Sequence, residues 1–110
     1  MLSENDIIEI NKIFDQGKVI NRSSLEFAVS SAKKTKDWIT QLAYIVRSVV
    51  IDHVFEEGNK RTAVAVIMTY AETHKKAYDE YKIDLMIRDL IQKHITDIAK
   101  IRRMIKNAII

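Results

Sequence analysis

The sequence contains no cysteine and no proline, and only 2 glycines among its 110 residues. Without cysteine there is no disulfide scaffold, no thiol nucleophile and no cysteine-ligated zinc or iron–sulfur centre. The missing thiols also fit a reducing compartment. Scarce Gly and Pro remove most of the punctuation that hairpins and sandwiches need, which argues against an all-β fold. Long apolar runs are missing as well. The longest stretch free of charge, Thr62 to Ala71, falls far short of the roughly 20 apolar residues that span a bilayer. The amino-terminal Met1-Leu2-Ser3-Glu4-Asn5-Asp6 is acidic, and no signal-type apolar block follows it. A cytoplasmic protein with no membrane partner is therefore expected.

What remains is an ordinary globular composition, 47% hydrophobic and 30% charged with a net charge of +3. Length and composition together predict one domain over residues 1–110 that buries roughly 65% of its unfolded surface. So small a positive surplus permits an anionic partner without requiring one.

Ile and Val are abundant and favour strands by propensity, yet their spacing is helical, and spacing is the better signal. Ile7, Ile10, Ile13 and Phe14 recur at helical intervals, with Ser3 and Asp6 as a capping pair and Gly17 as a stop. Ser23 with Glu26 reads as a capping box ahead of Leu25, Ala28, Val29 and Ala32. The polar run Lys33 to Asp37 predicts a loop. A helix from about Trp38 to Val54 follows, turning Trp38, Leu42, Ile45, Val46, Val49 and Val50 inward. The next helix starts near Asn59 and carries Ala63, Val64, Val66, Ile67, Tyr70 and Ala71. It is apolar nearly all round, as a buried central helix would be. Tyr78 to Tyr81 predicts a short extended link. Ile83, Met86, Ile87, Leu90 and Ile91 mark another helix, and Thr96 caps a last one holding Ile98, Ile101 and Ile105. The expectation is an all-α bundle of about six helices.

One dense polar cluster, His53-Val54-Phe55-Glu56-Glu57-Gly58-Asn59-Lys60-Arg61-Thr62, joins the two most hydrophobic helices. Gly58 stands where a chain must turn tightly or approach a ligand. The helix that starts after it presents unpaired N–H groups and a positive dipole end, both suited to phosphate. Lys60 and Arg61 oppose that dipole, so helix stability does not explain them, whereas an anionic ligand does. Glu57 is a hard oxygen ligand of the kind that holds Mg2+ against nucleotide phosphates. Asn59 can donate to a phosphoryl oxygen or cap the helix. His53 is the nearby group suited to general-base work near neutral pH. The cluster points to phosphoryl or nucleotidyl transfer to a hydroxyl, chemistry that depends mostly on positioning and charge stabilisation.

The run resembles the motif of the Fic/Doc family, His-x-Phe-x-Asp/Glu-Gly-Asn-x-Arg, set between two helices of an all-helical Fic fold. His53, Phe55, Glu57, Gly58, Asn59 and Arg61 fall on it. The resemblance implies that His53 is the base for a target Ser or Thr hydroxyl and Glu57 the Mg2+ ligand. It implies that Gly58, Asn59, Lys60 and Arg61 hold the phosphates of ATP, while Phe55 anchors the loop. Typical AMP-transferring Fic proteins have Gly where Lys60 stands, a second Arg where Val64 stands and Pro at Val54. Lys60-Arg61-Thr62 instead resembles the Doc toxin branch, although Gly58 is the Fic-like choice where Doc has Ala.

The implied protein is a Doc-like toxin that transfers phosphate from Mg-ATP to a protein target, with elongation factor Tu or another translation factor as first candidate. Transfer of AMP and a catalytically inactive Fic-fold binding module remain as alternatives. The family's self-inhibiting helix, Ser/Thr-x-x-x-Glu-Gly/Asn, has no counterpart in the sequence, so a separate antitoxin chain is expected. The loop from Lys33 to Asp37 lies where a target-clamping flap would be.

Other polar residues carry plainer readings. His74 and His94 have no local ligand spacing and are expected exposed or at helix ends. Trp38 and the tyrosines read mostly as core or rim, with Tyr78 or Tyr81 near a target groove as the lesser reading. Lys100, Arg102, Arg103 and Lys106 read as a solvated face or, failing that, a docking surface for an acidic partner. A helix-turn-helix DNA binder is disfavoured because Glu56 and Glu57 at the turn repel phosphates and the following helix is too apolar to read bases. Nucleic acid is therefore not an expected partner.

Overall fold

Six helices make up most of residues 1–109, the part of the chain that the computed structural model describes. They are α1 (Glu4–Phe14), α2 (Arg22–Lys33), α3 (Trp38–Val50), α4 (Asn59–Thr73), α5 (Glu80–Gln92) and α6 (Ile98–Ala108). No strand forms among the described residues, only two isolated antiparallel bridges, Val19 with Phe55 and Tyr78 with Ile109. No helix among them is long and apolar enough to cross a membrane.

The hub is α3 rather than α4. It packs against α2, α4 and α6, while α1 lies on α4 and α5 spans α4 and α6. Leu42, Ile45, Val46 and Val49 of α3 are fully buried, as the periodicity predicts. On α4, Ala63, Val66, Ile67 and Ala71 are buried, but Val64, Ala65 and Met68 stay half-exposed above Lys60 and Arg61. That helix therefore has one open face, where the sequence suggests an apolar girdle.

Caps explain most boundaries. Ser3 accepts from Asp6 N–H, and Asp6 accepts from Ser3 N–H, the reciprocal pair expected at the start of α1. Hydrogen bonding to Ser3 holds the Asp6 carboxyl below the usual carboxylate range. Ser23 is not a cap. Asn21 precedes α2 and accepts from Ser24 N–H, which places Ser23 inside the helix. Likewise Asp97, not Thr96, caps α6 by accepting from Lys100 N–H. Tyr78 does make its bridge, but Tyr81 already belongs to α5, capped by Asp79. Gly17 lies beyond the end of α1 at φ +70, and Ile13 is 73% exposed because α1 turns Ile7 and Asn11 inward instead.

The loop after α2 is tied to the far end of the chain. Asp37 accepts from Arg102 Nε at 2.7 Å and from the Thr40 hydroxyl. Those contacts, with Arg102 the larger cause, hold the Asp37 carboxyl below the usual carboxylate range. Arg102 is thus a tie between α6 and the start of α3, unlike exposed Arg103 and Lys106.

Candidate functional site

The α3–α4 junction is where the polar motif becomes geometry. α3 ends at Val50, four residues before its expected limit, and the chain turns through Asp52 to His53. His53 is exposed and takes φ +51, a left-handed conformation that costs a non-glycine residue roughly 1 kcal/mol. Lys75 and His94 share that sign but close ordinary helix ends, through Lys76 N–H to Ala71 C=O and Ile95 N–H to Leu90 C=O. His53 is held otherwise, by its neighbours on both sides.

Those neighbours are clamped by the entry to α2. Asn21 Nδ2 donates to the Asp52 carbonyl at 3.1 Å, and the N–H groups of Ile20 and Asn21 donate to the Val54 carbonyl. Ser24 donates its hydroxyl to the Asp52 carboxylate at 2.6 Å. Having given up its one hydrogen, it accepts from Ser48, 2.6 Å away. The extended segment before α2 thus runs along the motif loop, and Glu56 N–H closes the pairing on the Lys18 carbonyl. In the 33–37 loop, where a flap is expected, Asp37 accepts from Arg102 of α6.

Phe55 is fully buried and anchors the loop in the core. Asn59 neither caps α4 nor reaches outward: its amide donates to Phe55 C=O at 2.8 Å and accepts from Phe55 N–H at 3.0 Å. That side chain is a latch on the Phe55 backbone, with one Nδ2 hydrogen left over beside its backbone N–H. Gly58 precedes α4 at φ +77, the tight turn its position predicts. Its missing Cβ faces Asn11 Nδ2, 3.1 Å from where that carbon would stand, so the space serves packing against α1.

Asn11 has no counterpart in the motif. It is fully buried, and its Nδ2 donates to Glu57 C=O and to Thr62 Oγ1, both at 3.0 Å. Its Oδ1 accepts from Gly17 N–H at 2.7 Å. One amide therefore fixes the junction from below. The available signal was positional, since Asn11 sits one turn after buried Ile7, on the same face of α1.

The chemistry-bearing groups point outward. Glu57, Lys60 and Arg61 are exposed, and none is ion-paired among the described residues, whereas Glu56 faces Lys18. α4 has no side-chain cap, which leaves its first-turn amides open. A groove of about 800 Å³ starts at Lys60 and Arg61 and runs along α4 beside Val64, Ala65 and Met68. Its other wall is Glu80, Tyr81, Asp84 and Arg88 of α5, with Phe14 closing one side. Of the expected site residues, the groove gathers Lys60 and Arg61. His53, Glu57, Gly58 and Asn59 lie outside its lining. Among the described residues no group of three or more His, Asp or Glu could hold a metal ion.

No protein-family model matches the chain, and no curated protein or solved structure matches it either.

Proposed function

We propose that the chain is a Doc-like transferase that moves the terminal phosphoryl group of ATP to a Ser or Thr hydroxyl of a protein target, acting as a toxin. One observation carries the reading. An exposed imidazole and an uncapped helix N-terminus with two unpaired cations in its first turn are joined by a loop latched to the core from both sides. Preorganised donors aimed at phosphate, beside a proton acceptor, are what phosphoryl transfer needs.

In this reading the open amides of α4, with Lys60 and Arg61, bind the phosphate oxygens. The target hydroxyl oxygen attacks the terminal phosphorus, and the bond from that phosphorus to its bridging oxygen breaks. The hydroxyl proton passes to His53, and ADP leaves. Glu57 would hold Mg2+, which neutralises phosphate charge when bound. A single carboxylate suits an ion that usually takes its other ligands from phosphate and water. A translation factor is the first target to try, and the resemblance to Doc implies a separate antitoxin chain.

Mass spectrometry of a target incubated with the protein and Mg-ATP tests the assignment. A gain of about 80 Da is the expected phosphate, whereas about 329 Da would make the protein an AMP transferase. An unmodified proteome, with ATP bound, would make it a binding module instead.

A further inference from the structure

We infer that the groove between α4 and α5 seats the base of the nucleotide, with Tyr81 stacked on it; this rests on the transferase reading above. The groove changes character along its length, from cationic at one end to apolar and aromatic at the other. Its α4 wall begins at Lys60 and Arg61 in the first turn, then passes Val64 and Ala65 to Met68, about 12 Å further along the helix axis. Only the short 74–79 connection separates α4 from α5, so the two helices run antiparallel. Arg88 therefore stands towards the Lys60 end, and Glu80 and Tyr81 towards Met68. Arg88 is held by Asp84, one helical turn back, at 2.9 Å.

A nucleotide has the same polarity. Its phosphate tail matches the cationic end, which opens onto the unpaired amides of α4. Its flat, apolar-faced base matches a floor of Val64 and Met68 beside an aromatic ring that is 70% exposed. Glu80 offers an acceptor for an exocyclic amine of the base or for a ribose hydroxyl. Ala65, between the two larger apolar residues, leaves room for the sugar. A uniformly acidic peptide would gain at Lys60 and Arg61 but meet the carboxylates of Glu80 and Asp84, so charge favours the nucleotide. The placement also has a direction. With the base far from the start of α4, the terminal phosphate is the one that reaches the junction.

Calorimetric titration with Mg-ATP and, separately, with inorganic tripolyphosphate tests this without any target protein. Tyr81→Ala is expected to weaken ATP at least tenfold and leave tripolyphosphate binding unchanged, while Tyr81→Phe, which keeps the ring, restores ATP. Arg61→Ala is expected to weaken both ligands. Equal ATP affinity in wild type and Tyr81→Ala overturns the base seat while leaving the phosphate cradle standing. A Tyr81→Ala loss shared by tripolyphosphate also overturns it. Failure of the unaltered protein to bind either ligand overturns the transferase reading, and the base seat with it.

Discussion

The two ends of α4 are built to opposite plans. At its C-terminus Lys75 N–H bonds Glu72 C=O at 3.1 Å and Lys76 N–H bonds Ala71 C=O at 2.8 Å, which satisfies the last carbonyls. The His74 ring donates from Nδ1 to Tyr70 C=O at 2.9 Å and stacks on Trp38 with centroids 4.4 Å apart. Tyr70 in turn accepts from Leu2 N–H, and burial pushes its phenol up. At the N-terminus nothing comparable closes the helix. Gly58 supplies no side-chain cap, whereas Ser3, Asn21, Asp79 and Asp97 cap α1, α2, α5 and α6. Glycine in place of a capping side chain costs only about 0.3 kcal/mol, and two cations in the first turn add to that cost. The junction is nevertheless rigid, because Asn11 and Asn59 fix its backbone from the core side. The end kept open and held still from behind is the one the proposed transfer would use, and the end that satisfies itself serves stability.

The sharpest way to break that contrast is to remove one imidazole from each end. His53→Ala is expected to lower transfer by about 10²–10⁴-fold, the range of a general base, with ATP affinity and melting temperature nearly unchanged. Labelled-phosphate transfer beside thermal melting reads both quantities, and full activity in the variant would remove His53 from the mechanism. Next in size is Asn11→Ala, which leaves Gly17 N–H, Glu57 C=O and Thr62 Oγ1 without their buried partner. Unsatisfied buried groups cost about 1–3 kcal/mol each. A loss of about 3 kcal/mol, read as a melting point lower by about 12 °C, is therefore expected. A shift below about 3 °C would show that the junction does not depend on this amide.

The parts of this architecture that were legible in the sequence share one property: they are local. Helical spacing locates all six helices, and the motif residues are contiguous, so His53, Glu57, Lys60 and Arg61 emerge together and do lie exposed. What escaped was set by contacts across the fold. Asn11 meets Glu57 and Thr62 from 46 and 51 residues away, and a polar residue drops out of an apolar count even when it occupies the inner face. Asn59 is read as a cap or phosphate donor by its position, yet the turn brings the Phe55 backbone within its reach. Asn21 displaces Ser23 as cap, and it does so while also bonding the Asp52 carbonyl, a partner that local sequence does not show. The groove needed α5 as its second wall, and nothing in α4 alone announces which helix will face it.

At the closed end of α4 the effect is expected to be smaller and confined to stability. His74→Ala removes the stack on Trp38 and the bond to Tyr70 C=O, but the ring is exposed and water replaces part of what is lost. A stacked pair contributes about 0.5–1.5 kcal/mol, so the variant is expected to melt about 4 °C lower with unchanged ATP affinity and transfer. A loss of transfer here as large as in His53→Ala would erase the distinction between the two ends.

The smallest effect lies at the loop that proved to be a structural tie. Arg102 and Thr40 hold the Asp37 carboxyl below its ordinary value of 3.8. A lowered folded value means that the ionised, paired form contributes stability fully above pH 3.8, and that this contribution fades as pH falls below it through the folded value. Both side chains are about a third exposed, at 35% and 38%, so solvent screening limits the gain to no more than about 1 kcal/mol. Asp37→Asn is therefore expected to lower stability slightly at neutral pH and to flatten the acid limb of the curve below pH 3.8. Chemical denaturation at a series of pH values reads this directly. Parallel curves for wild type and variant would show that the Arg102 contact contributes nothing to holding α6 against the start of α3.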